Sequence, residues 1–363
     1  MVTAYIIIFL SNILTLFSRK RNLVLVVISF AFFILIMGWS LSDPDWVGYY
    51  YLYNFTANGP ILPEFGYQFL EKIFLSLGFD FPQFRIAIAF ITYYLMYKGI
   101  SFFIKKGPLS LFISSYALFS LFYDSIQLRN TLGISIIIIG LRYLFEEGKF
   151  DILKFIFTVL VATTFHTTMI FYLAFLIVKF KKTNLVQFCI ILFTFLTTII
   201  IVMNGTKIPY LEVIFGSLRE SKYTGYLDKS MRWGFIFPLA LQMINILFAK
   251  FLMTVNFSDI NSIDNEGRKS QLLLNYKLNV SGILFIPIFT VNLNFYRLAR
   301  NLLTINLIFS QLSLNHSVKQ KERIKIILFT FIYVFVWVFY GFIFGNEFET
   351  VVRPLLENNG FFP

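Results

Sequence analysis

A few arginines, one histidine and a handful of acids stand out from an apolar chain, because ionisable groups are costly at membrane depth. Arg129 lies in Tyr123-Asp124-Ser125-Ile126-Gln127-Leu128-Arg129-Asn130, at the expected outer end of an apolar stretch. Its guanidinium offers a rigid fork of donors matched to phosphate oxygens. The plainer reading is an arginine that snorkels to water or closes a structural ion pair. Read as one ideal helix, this segment puts Asp124, Gln127 and Thr131 on one face, with Arg129 about 140° from Asp124. Further on, Asn294, Arg297, Asn301 and Thr304 follow i, i+3, i+7, i+10 spacing with Arg300 beside them. That predicts a polar stripe along one helix, facing the bundle interior. Two arginines one turn apart suit a diphosphate, whereas the Asn and Thr residues alone suit interhelical bonding.

His166, in Thr163-Thr164-Phe165-His166-Thr167-Thr168, titrates near neutral pH and is a candidate base, with Asp124 in reserve. Packing or helix capping is its plainer role. Asp43, Asp45 and Glu64 form an outward acidic group beside Tyr49, suited to sugar hydroxyls, a divalent cation or base catalysis. Solvated loop acids are the default for such residues. There are 2 histidines and 1 cysteine, which excludes His-rich and Cys-based metal sites and an intrachain disulfide. Nothing reads as a phosphate loop, a nucleophile elbow or a zinc-protease motif.

These groups need a membrane scaffold to hold them. The chain has 363 residues, 58% hydrophobic and 14% charged, too few charges to coat a water-facing surface. Soluble enzymes, disordered chains and disulfide scaffolds are excluded, leaving an all-α polytopic membrane protein. The net charge of +12 reflects basic cytoplasmic loops rather than a nucleic-acid partner. About twelve spans are expected, at 3–17, 23–41, 84–104, 109–122, 126–145, 152–165, 167–178, 185–203, 233–254, 278–293, 296–314 and 326–344. Basic clusters in alternate connections place both termini outside. Residues 152–178 keep that parity as two short helices meeting at His166, or as a re-entrant hairpin, which is preferred. Residues 1–363 read as a single integral membrane domain. Two long outer loops punctuate it: 42–83, with an interfacial helix near Gln68–Leu75, and 204–232, with Tyr210, Tyr223 and Tyr226. No removable signal peptide is expected at the N-terminus.

The order of these motifs carries a resemblance. Asp45 with Tyr49-Tyr50 is followed by Pro63-Glu64-Phe65-Gly66-Tyr67. Asp124, Gln127 and Arg129 come next, then Phe165-His166-Thr167, and Phe295-Tyr296-Arg297-Leu298 opens a late helix. The chain resembles the EpsG family of Wzy-type exopolysaccharide polymerases over most of its length. Asn130 departs from the Gln expected after the arginine, and Val351-Val352-Arg353-Pro354 matches the family's ending only loosely.

The resemblance implies a metal-independent glycosyltransferase of GT-C-like, lipid-donor architecture, with its site on the outer face of the bacterial cytoplasmic membrane. It would move a growing glycan from undecaprenyl diphosphate onto the non-reducing end of a lipid-linked repeat unit in exopolysaccharide or capsule synthesis. Arg129, Arg297 and Arg300 would hold the diphosphate, and His166 would serve as base. Asp43, Asp45, Tyr49, Glu64, Gln127, Asn294 and Asn301 would bind sugar or support the site. Membrane lipid, a chain-length regulator and a flippase are the implied partners. The alternatives are a flippase for lipid-linked oligosaccharide and a membrane acyltransferase acting on the glycan.

Overall fold

The computed structural model describes residues 1–56, 59, 63–180, 183–205, 234–255, 264–317 and 319–361. Apart from residues 204 and 205, the outer loop 204–232 lies outside these, including Tyr210, Tyr223 and Tyr226. The described residues are mostly helical, with no strand among them and one isolated β-bridge, Ser40 to Asn359. Six helices among them are long and apolar enough to cross a membrane. The chain is a multi-pass membrane protein. Of the twelve expected spans, six coincide with these helices, at 84–104, 126–145, 185–203, 233–254, 278–293 and 326–344, and the other six lie on helical segments that do not meet that measure.

The chain divides into two compact units. The first comprises Met1–Tyr172 with Leu307–Pro363. It contains α1 (Val2–Leu14), α2 (Leu23–Gly38), α3 (Trp46–Thr56), α4 (Phe65–Ser76) and α5 (Phe81–Phe103). Next come α6 (Ser110–Leu118), α7 (Ser120–Ile126), α8 (Leu128–Phe145) and α9 (Asp151–Phe165). A capping box opens α5: the Asp80 carboxylate accepts from the Gln83 amide, and the Gln83 side chain accepts from the Asp80 amide. Helices α5, α8 and α9 pack side by side. At Gly99 of α5 a Cβ would come within 2.6 Å of the Ile138 side chain and 3.1 Å of its backbone on α8. Small residues permit such close approach between membrane helices.

Two expectations are corrected here. Residues 109–122 are not one helix, because the chain breaks at Phe119 between α6 and α7. A second break at Gln127 separates α7 from α8, so the single-helix geometry expected for 124–131 does not hold. Neither break contains Gly or Pro. The carbonyls around the second break are satisfied by side chains: Arg85 donates to Ser125 O at 3.1 Å, and Thr131 donates to Asp124 O at 2.8 Å. Irregular backbone at membrane depth persists where its polar groups find such partners.

The expected break at His166 is present. Helix α9 stops at Phe165, and a 3-10 helix, Thr167–Lys179, follows. At a rise of roughly 2 Å per residue, the 3-10 form stretches the segment to about 26 Å.

The second unit, Leu173–Asn306, holds α10 (Thr183–Met203), α11 (Ile236–Val255), α12 (Asp264–Ser281) and α13 (Ile286–Val291). Helix α14 (Arg297–His316) begins there and runs into the first unit, where α15 (Gln320–Val338) and the short α16 (Arg353–Glu357) complete the chain. The span expected at 278–293 starts earlier, at Lys269, and bends through a 3-10 turn at Gly282–Phe285.

Candidate functional site

Three chain segments far apart in sequence meet at Glu64. This residue precedes α4, and its carboxylate makes no hydrogen bond to its own helix. Its Oε1 accepts from His166 Nδ1 at 2.7 Å and from the Thr167 amide at 3.3 Å. Its Oε2 accepts from Arg129 Nη1 in an ion pair. An ionised carboxylate only accepts, so the Nδ1 nitrogen carries the shared hydrogen and Nε2 is the basic nitrogen of the ring.

Local structure explains the meeting. His166 ends α9 in extended backbone, φ −150° and ψ 118°, so the chain turns and both its ring and the Thr167 amide face Glu64. Arg129 sits in the first turn of α8, just past the Gln127 break. Gly66 lets α4 lie against the end of α9, because a Cβ there would overlap Thr164 and sit 3.1 Å from the Thr164 carbonyl. Gly66→Ala is therefore expected to destabilise the protein by about 1–3 kcal/mol through overpacking. Thermal unfolding in detergent measures this, and Thr164→Ala should recover part of the loss.

The site is mostly shielded from solvent. The side chains of Arg129, Glu64 and His166 are 15%, 14% and 12% exposed. The Arg129 guanidinium lies 5.1 Å from the Tyr49 ring centre and 5.8 Å from that of Tyr67, and a hydrogen bond joins its side chain to Tyr49. Aromatic faces hold a cation more strongly when it is desolvated.

Burial alone would raise the Glu64 pKa. The His166 hydrogen bond, the Arg129 charge and the Thr167 amide outweigh it and lower that pKa from 4.5 to about 2. A depressed acid contributes stability that is complete above its unfolded pKa and lost as pH falls through its folded one. Stability in detergent should stay level from pH 7 to 5, then fall by about 3 kcal/mol between pH 4.5 and 2. Glu64→Gln should remove that component, as pH-dependent melting would show.

Asp43 is not the solvated loop acid expected by default. It forms a fully buried ion pair with Arg85 at 2.6 Å, and Ser40 Oγ donates to it at 2.9 Å. Arg85 also donates to Met37 O at 2.6 Å. Removing one partner of a buried pair costs about 3–5 kcal/mol, more than removing both. Asp43→Asn should lower the melting temperature sharply, and the Asp43→Asn/Arg85→Met double variant should lie closer to the parent. The Asp43 carboxylate also accepts from the Asp45 amide, tying it to the start of α3, where Asp45 itself is exposed. Asp124 is buried at 2% exposure and accepts from Tyr116 at 2.8 Å. Gln127 stands at the α7–α8 break, its carbonyl accepting from Thr131 at 3.0 Å.

In the second unit, the polar stripe is not one helical face. Asn294 is exposed on a 3-10 turn before α14, and its carbonyl accepts from Arg297 Nε at 2.9 Å. Arg300, expected beside the stripe, is buried at 1% exposure, as are Asn301 and Thr304 at 2% each. Arg300 lies 5.9 Å from the Tyr296 ring centre. Around this helix runs a buried amide network. Asn279 and Asn306 exchange hydrogen bonds at 2.8 and 3.0 Å, and Asn245 donates to Ala299 O at 2.9 Å.

Sequence reasoning passed over Arg85 and Glu71. Arg85 carried a usable signal, an arginine one turn into an apolar span. Glu71 lies two turns beyond Glu64 and is buried, and Thr56 donates to it at 2.6 Å. Burial raises its pKa most strongly, against the Thr56 hydrogen bond and the Arg129 charge. Among the described residues, no three His, Cys, Asp or Glu groups cluster as a metal site.

No curated protein and no solved structure matches the chain. The model of the EpsG family matches residues 23–352, a stretch that holds Glu64, Arg129 and His166 together with most of the helical scaffold. The chain belongs to the EpsG family.

Proposed function

We propose that the protein is an exopolysaccharide or capsule polymerase, a membrane glycosyltransferase that transfers a growing glycan from undecaprenyl diphosphate to the non-reducing end of a lipid-linked repeat unit. The observation that carries this reading is Glu64 bonded at once to His166 and Arg129. In the reaction, an acceptor hydroxyl oxygen forms a bond to the anomeric carbon as the bond from that carbon to the diphosphate oxygen breaks. His166 Nε2 takes the hydroxyl proton, and Glu64 steadies the imidazolium that results. Undecaprenyl diphosphate leaves with the bonding electron pair, and Arg129 meets its growing negative charge.

Charge balance supports the pairing. With neutral His166, the Glu64–Arg129 pair sums to zero. When His166 accepts the proton, the group gains one positive charge as the leaving group gains negative charge. Base and electrostatic stabiliser therefore act in step. Tyr49 packs as a wall of the Arg129 site, and aromatic faces of this kind also carry sugar rings.

The reading includes a GT-C-like scaffold of about twelve crossings in the bacterial cytoplasmic membrane, with the site facing outward. It is metal-independent and works beside a flippase and a chain-length regulator. Arg297 and Arg300 keep their candidacy for the diphosphate on their chemistry alone, and Asp124 keeps its place as reserve base.

The test is reconstitution in lipid vesicles with a matched undecaprenyl diphosphate-linked repeat unit. A ladder of longer glycans supports polymerisation. Label crossing the bilayer without a ladder would replace this reading with flipping.

A further inference from the structure

Tyr67 has a hydroxyl that packing does not explain. Its ring is well placed: 5.6 Å from Phe84 in an edge-on contact, 6.3 Å from Tyr49, and 5.8 Å from the Arg129 guanidinium. The residue is 3% exposed, yet its Oη is buried and has no hydrogen-bond partner. Arg129 Nε, on the neighbouring side chain, is also buried without one. Buried donors left unsatisfied are rare and each calls for an explanation.

What these two groups lack is an acceptor. Glu64 already engages Nη1 of the same guanidinium. An ionised phosphate group is acceptor-only and carries several oxygens, so it can answer both donors. The phenol stays protonated at neutral pH. Its pKa is pushed well above 10, first by burial and then by Tyr49 and Glu71, against the opposing charges of Arg129 and Arg85.

We propose that Tyr67 Oη is a substrate-binding donor that, with Arg129 Nε, holds an oxygen of the diphosphate on the lipid-linked glycan. This rests on the polymerase reading above and adds a residue to it. The Arg129 side chain itself keeps 15% of its surface exposed. Charge grows on the diphosphate as the glycosidic bond breaks, so the hydrogen bond strengthens in the transition state and acts on kcat more than on KM.

Tyr67→Phe tests this by removing one oxygen while keeping the ring against Tyr49, Phe84 and Arg129. It also removes a buried unsatisfied donor, so the melting temperature should hold or rise. The full-length variant in nanodiscs is compared with the parent for kcat and KM of ladder growth. Binding of undecaprenyl diphosphate and of inorganic pyrophosphate is measured on the same samples. The expected result is a kcat lower by roughly 10- to 100-fold, with a smaller change in KM, and diphosphate binding weaker by roughly 10-fold. Weakening towards both ligands assigns the contact to the diphosphate itself. Weakening towards the lipid form alone also supports the site and shows that the polyprenyl chain delivers it. Parental kinetics and parental binding in Tyr67→Phe would overturn the proposal. If the parent builds no ladder but Tyr67→Phe still weakens binding, the polymerase reading fails and the diphosphate site stands.

Discussion

Glu64→Gln is expected to slow glycan lengthening by roughly 10³–10⁴-fold, the scale seen when the acid that orients a catalytic histidine becomes an amide. The reason lies in the three bonds Glu64 makes. Its Oε1 holds His166 Nδ1 and the Thr167 amide, and its Oε2 holds Arg129. A glutamine has one acceptor oxygen and a donating amide nitrogen. With its oxygen accepting from Arg129, its amide nitrogen donates to His166 Nδ1 and holds the ring in the tautomer whose Nε2 is already protonated, and it offers an imidazolium no opposing charge. Glu64→Asp should also fall, by a smaller factor, because the shorter side chain withdraws from partners on two other elements. Both variants are checked by initial rates in reconstituted vesicles, with melting temperature and expression recorded beside them. A loss of rate far larger than the loss of folded, inserted protein at the assay temperature assigns the effect to chemistry.

Arg129→Lys is the second large effect, expected at roughly 10²–10³-fold in kcat/KM. The charge survives the substitution, but the planar fork does not. A lysine ammonium is a point donor that cannot bond Glu64 along one edge while presenting Nε along another. It also loses the flat contact with Tyr49 and Tyr67. The measurement is the concentration dependence of ladder growth. A drop in kcat with KM nearly constant marks an interaction made in the transition state.

Much of the scaffold is legible in the residue pattern, because lipid allows few solutions. Apolar stretches of the right length must be helices, and the polar run around His166 marks where one must stop. The breaks at Phe119 and Gln127 are not legible in the same way. Neither holds Gly or Pro, and the second depends on Arg85, which lies about forty residues earlier and donates to Ser125 O. The candidate site is legible in its members but not in its wiring. Arg129 and His166 stand out locally as polar groups in apolar surroundings. Glu64 reads as one loop acid among three, because its partners lie 65 and 102 residues away and no spacing rule spans such distances. Asp43 shows the converse: an outward acid by pattern, it closes on buried Arg85 instead.

The coupling through Glu64 also separates a catalytic role from a merely structural one. In a structural cluster, the costs of separate substitutions appear in stability and roughly add. In a catalytic unit, the first loss removes most of what the others contribute, so combined variants are far from additive. The direct measurement is a cycle of Glu64→Gln, His166→Ala and the pair together, each reconstituted with the lipid-linked repeat unit and followed for ladder growth. If Glu64 acts through His166, the pair will be no slower than the slower single variant, within about threefold. If the two losses multiply, or if His166→Ala in stably inserted protein builds ladders at the parental rate, Glu64 and His166 are not one catalytic unit.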